Sequence, residues 1–128
     1  MQSSTFKTPV PVTVTTTLTK IKEINLGGLF SSLAFEVSPV GAALDAFEVR
    51  VRLHPNGSFI QFMSGTEFDL ATISMMKWST LLGPHEVADG TVGAAIINVS
   101  CVDAVEFWAK VPAGTADVTL MGTQGQKG

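Results

Sequence analysis

"LDAFEVRVRLHPNGSFIQF", residues 44–62, decides the fold class. Phe47, Val49, Val51 and Leu53 fall on every second position, with Glu48, Arg50 and Arg52 between them. A strand turns successive side chains to opposite faces, so this spacing predicts one apolar face and one charged face. "HPNGS" then supplies Asn56 and Gly57, which tolerate the positive φ of a tight turn, and Phe59 to Met63 is expected to return antiparallel. A hairpin with one oily side needs a second layer to cover it. Its charged side is expected to meet solvent or to form a polar rim.

The same grammar extends in both directions. Toward the N-terminus, Val10, Val12, Val14, Thr16 and Leu18 alternate with Pro11, Thr13, Thr15 and Thr17, a β-branched run of period two. Pro9 and Pro11 have no amide hydrogen to give a ladder, which makes the start of that run an edge or an arm. "NLGG" at 25–28 reads as a loop. Leu33, Phe35 and Val37 alternate with Ala34 and Glu36 up to the turn "SPVG". Beyond the hairpin, residues 65–93 are punctuated by Gly65, Gly83, Pro84, Gly90 and Gly93, too often for a long helix. One strand is expected around Ile73 to Trp78, then a long loop. Ala94 to Cys101 is an apolar run expected to be a strand buried on both faces. Val105, Phe107, Ala109 and Val111 alternate with Glu106, Trp108 and Lys110, "PAGTA" turns, and Val118 and Leu120 continue.

Several short strands divided by turn residues, with no sustained 3.6-residue stripe, predict an all-β protein: a single-domain antiparallel β-sandwich of jelly-roll or Ig-like type. The expected boundaries are an extended arm over 1–14, the sandwich over 15–123 and a flexible tail over 124–128.

Composition narrows the function classes. The chain has 128 residues, enough for one core without disulfide or metal staples. A net charge of −3 offers no basic field for a phosphate backbone, so nucleic acid is not an expected partner. Charged residues make up 15%, against roughly 25% in an ordinary soluble domain, and mean hydropathy is +0.34. An apolar, lightly charged surface is the kind that lies against another protein. No run approaches the roughly 18 apolar residues of a membrane span, and "MQSSTFKTPVPVTV" lacks the apolar stretch of a secretory signal. The chain is expected to work without a membrane and without an export signal. Cys101 is the sole cysteine, expected to be a buried structural thiol.

The residues for chemistry are scattered. His54 and His85 lie far apart, with no second His or Cys at ligand spacing. His54 precedes a proline in a turn, where a solvated role is expected. Glu67 and Asp69 provide too few oxygens for a calcium site. Nucleophile-elbow, phosphate-loop and dinucleotide motifs are missing. "NGS" at 56 and "NVS" at 98 match the glycosylation sequon, in a turn and a strand respectively. The expectation is a non-enzymatic protein with no catalytic residue, no metal site and no cofactor.

Exposed aromatics are the remaining signal. Trp108 lies between Glu106 and Lys110, opposite Val105 and Phe107, so the pleat predicts an outward indole. Tryptophan is enriched at protein contacts because it offers a large apolar area and one donor. Trp78, beside Met75 and Met76, raises the same possibility. Val10, Val12 and Val14 of the arm, together with Trp78 and Trp108, are the candidate interface residues. The arm residues would act by adding a strand to a partner's sheet.

The succession "AFEVSPVGAALDAFEVRVRLHPNGSF", a glycine-rich loop, then "VDAVEFWAKVPAGTADVTLMG" resembles the small β-sandwich structural proteins of tailed bacteriophages. The likeness covers roughly residues 33–123. It lies in an apolar strand, a glycine, the Ala-Leu-x-x-Phe of residues 43–47, an alternating strand, and a closing strand from Ala116 to Gly122. It is a packing pattern, so no functional residue carries over. It implies a virion protein, assembled in the bacterial cytoplasm, of the capsid decoration or cement type. Such a protein binds a major capsid protein or another virion protein, as a dimer or trimer, and many weak attachments together hold firmly. The alternatives are a neck or tail component, or a carbohydrate- or receptor-binding sandwich module.

Overall fold

The computed structural model describes residues 3–63, 76–78, 89–90 and 92–126. Those residues form ten strands and no helix: β1 (Ser3–Lys7), β2 (Val12–Val14), β3 (Thr19–Asn25), β4 (Ser32–Val40), β5 (Ala46–Arg52), β6 (Ile60–Met63), β7 (Met76–Trp78), β8 (Gly93–Asn98), β9 (Ala104–Lys110) and β10 (Ala116–Gly125). Two antiparallel sheets result. The first runs β1-β10-β4-β8-β7, with β2 also paired to β10, and the second runs β3-β9-β5-β6.

The connectivity is that of a jelly roll. Taking β1 and β2 as one interrupted strand and β7 as an added edge leaves eight strands in chain order. One sheet then holds the first, eighth, third and sixth, and the other the second, seventh, fourth and fifth. That nested order is two Greek keys wrapped into a sandwich. The expected all-β antiparallel sandwich is therefore what the chain forms, and the jelly roll is the type it takes.

The core lies between the sheets and follows from the alternation. Leu33, Phe35 and Val37 of β4 face Phe47, Val49 and Val51 of β5 and Val105, Phe107 and Ala109 of β9, all of them buried. Phe107 is at its centre. Its ring lies 4.9 Å from Phe35 edge-on, 6.1 Å from Phe47 and 6.3 Å from Phe6. Offset and edge-to-face contacts of this kind add about 0.5–1.5 kcal/mol each beyond the area they bury.

Several local expectations are corrected. The run from Val10 to Leu18 is a strand only over Val12–Val14, because Thr15 Oγ1 accepts from the Thr17 N–H and turns the chain. A strand at 19–25 was not expected there. The segment expected as an arm over 1–14 contributes β1 and β2 to its own sheet, with Ser3 opposite Gly125 and Val14 opposite Ala116. The tail expected from 124 begins inside β10, where Gln124 is buried and accepts a 2.6 Å hydrogen bond from Ser4 Oγ. β8 is not buried on both faces: Ile97 is inside, whereas Ile96 is 57% exposed. Leu53 lies past the end of β5 and is exposed.

Candidate protein interface

The two outer faces of the sandwich are built differently. On the second sheet the outward row crosses β3, β9 and β5, with Lys20 opposite Trp108 and Trp108 opposite Glu48. The Arg50 guanidinium sits 4.4 Å above the Trp108 ring, and Arg50 also pairs with Glu48 at 3.3 Å. Trp108 Nε1–H donates to Glu106 Oε1 at 3.1 Å, and Lys20 Nζ reaches Glu106 Oε2 at 3.3 Å. Arg52 pairs with Asp103 at 2.8 Å, and Lys110 with Asp45 at 3.0 Å. The hydrogen bonds to Glu106 and then to Glu23 hold the Lys20 ammonium above its ordinary value. The charged side of the opening hairpin therefore meets neighbouring charges of its own chain, and the face is a closed grid.

The first sheet presents the opposite character. Register places Lys7, Met121, Glu36 and Ala94 in one row across β1, β10, β4 and β8. Thr5, Thr123, Ala34 and Ile96 form the next row. Between them runs an open groove of about 730 Å³, lined by these residues with Phe6, Phe35 and Gly122 at its floor. Small side chains at Ala34 and Ala94 keep the groove low, while Met121 and Ile96 make it apolar. Lys7 and Glu36 are its charges, and neither is in an ion pair among the described residues. The floor depends on Gly122. A Cβ there would collide with the Ala34 carbonyl oxygen and stand 2.5 Å from Phe6 Cζ, so its absence lets the Phe6 ring cross β10 toward Phe107.

The sequence-derived interface residues are dispersed. Val14 is fully buried in the core, Val12 packs against it, and Val10 is 69% exposed on the sheet edge. The strand that carries Val12 and Val14 is paired within its own chain. Trp108 is half-buried under Arg50. Trp78 lies in β7, at the far edge of the first sheet from β1; its side chain, like His85, Glu67, Asp69 and Met75, lies outside the described residues. His54 is exposed in its turn, and its Nδ1 accepts from the Asn56 N–H at 3.1 Å. Among the described residues no group of three or more His, Cys, Asp or Glu is placed to hold a metal ion.

Cys101 overturns the expectation of a buried thiol. The Val102 N–H donates to the Val99 carbonyl at 2.9 Å, closing a tight turn that holds Cys101 exposed at φ 68°. β8 ends at Asn98, so the apolar run that suggested burial has already left the sheet.

The groove on the first sheet was not anticipated. The signal was present: around the groove the outward positions of β4 and β10 read Ala34, Glu36, Ser38 and Thr119, Met121, Thr123, with one charge among these six and Asp117 farther along β10 opposite Val40, whereas Glu48, Arg50 and Arg52 are all charged.

No protein-family model matches the chain, and no curated protein sequence does. Among solved structures, the crystal structure of the SPBc2 prophage-derived protein YomS is similar over 95% of this chain and 93% of that one. The TM-score is 0.55 at 12% sequence identity, a likeness of fold across nearly the full length of both.

Proposed function

We propose that the chain is a non-enzymatic structural protein of a phage virion, acting through protein-protein contacts as a capsid decoration or cement protein. The observation that carries this reading is the architecture shared with a prophage-derived protein along almost the whole of both chains. The strand pattern over residues 33–123 supports it independently, through its resemblance to small sandwich proteins of tailed phages. Jelly rolls serve in both viral shells and lectins, so topology alone does not choose between them. The partner is another virion protein, with the capsid shell as the first candidate.

Quantitative mass spectrometry of purified particles, from a strain encoding the chain, tests the proposal. A decoration protein repeats with the shell lattice and is expected on the order of hundreds of copies per particle, whereas a neck or tail ring closes at about a dozen. A dozen copies would move the protein to the neck or tail, and its absence from particles would overturn the virion reading.

A further inference from the structure

We propose that the outer face of the first sheet is the interface of a two-fold symmetric homodimer, in which Lys7 of each copy pairs with Glu36 of the other. The inference rests on the face itself and does not depend on the virion reading.

Charge placement names the occupant. Lys7 and Glu36 stand on either side of Met121 in one row, so two interstrand spacings, about 10 Å, separate their backbones. They make no ion pair with one another, and the groove between them is apolar. A two-fold axis along β10 through Met121 maps the β1 column of one copy onto the β4 column of the other. Lys7 then meets Glu36 twice, Thr5 covers Ala34, and the two Met121 side chains meet on the axis. A surface whose opposite charges flank its centre symmetrically is complementary to itself, which is the requirement of an isologous interface.

The apolar residues agree with this placement. Met121, at the centre of the groove, meets its own copy on the axis, and Ala34 lies under the partner's Thr5. Ile96, 57% exposed and one column beyond β4, falls outside the partner's β1 and marks the margin of the interface. The outer face of the second sheet offers no such pairing, because Lys20, Arg50 and Arg52 are already matched within the chain.

Sedimentation velocity of the full chain, from low to several hundred micromolar, tests the proposal. The wild type is expected to show a monomer-dimer equilibrium. Lys7→Glu or Glu36→Lys alone should weaken it by about tenfold or more, since each places two like-charge pairs in the interface. The double variant should return to within about threefold of wild type, because the pairs are restored with reversed polarity. Met121→Glu places two carboxylates together on the axis and, with the fold intact by circular dichroism, should also abolish pairing. A wild type that stays monomeric, a double variant no tighter than either single one, or dimers indifferent to Met121→Glu would each overturn the proposal. None of these results would alter the number of copies found in particles, so the two readings fail separately.

Discussion

Cys101 shows how much a single backbone angle can hide from a sequence. Its neighbours Val99 and Val102 are buried, and a cysteine among valines reads as core. The turn between them needs a residue in the left-handed region, and Cys101 fills it at φ 68° with its thiol in solvent. An L-residue held there costs about 1–2 kcal/mol relative to the right-handed form, part of which glycine offsets with its larger freedom in the unfolded chain. Cys101→Gly is therefore expected to raise stability by about 0.5–1 kcal/mol, read from the urea midpoint at unchanged slope. Trp108 was half legible: the pleat assigned it correctly to the outward face. What the spacing could not show was Arg50, two strand positions from Glu48 on a neighbouring strand, laid over the indole.

At the level of elements, legibility followed periodicity. β4, β5 and β9 keep strict alternation and were found as strands. β3 was missed because its buried residues, Ile21 and Ile24, stand three apart: the ladder slips between Lys20 and Lys22, and one extra residue breaks the period of two. β1 was misjudged for another reason. "SSTFK" has little apolar content, and only Gly122, more than a hundred residues away, creates the space that admits the Phe6 ring beside Phe107. The strand is thus fastened by one aromatic side chain and a ladder. Phe6→Ala is expected to cost about 1–3 kcal/mol by lost burial. Amide exchange across β1 should accelerate far more than exchange in β4, and equal protection in the two strands after the substitution would show that the ring is not what fastens β1.

For the whole molecule, the fold class was readable and the connectivity was not. Alternation says that a face is buried; it does not say which strand lies alongside. The jelly roll joins partners distant in sequence, such as Ser3 with Gly125 and Ser32 with Asn98, and no local pattern encodes those pairings. The groove on the first sheet suffered the same loss, since its two rows draw on β1, β4, β8 and β10 together. Non-local pairing also sets the rate of folding, because loop closure must precede the contacts that reward it. Refolding followed by stopped-flow fluorescence is expected in the range of milliseconds to seconds. A microsecond phase carrying the full amplitude would contradict a topology so dominated by distant strands.

β10 is the hub on which β1, β2 and β4 all converge, and it comes last among the described strands. While a ribosome is still adding residues 116–125, the earlier strands of that layer have no common neighbour, and the Phe6 ring has no glycine to cross. The nascent chain thus carries bare β edges and uncovered phenylalanines until β10 emerges from the exit tunnel. Chaperone dependence during synthesis should rise as translation approaches that strand and vanish once it is free.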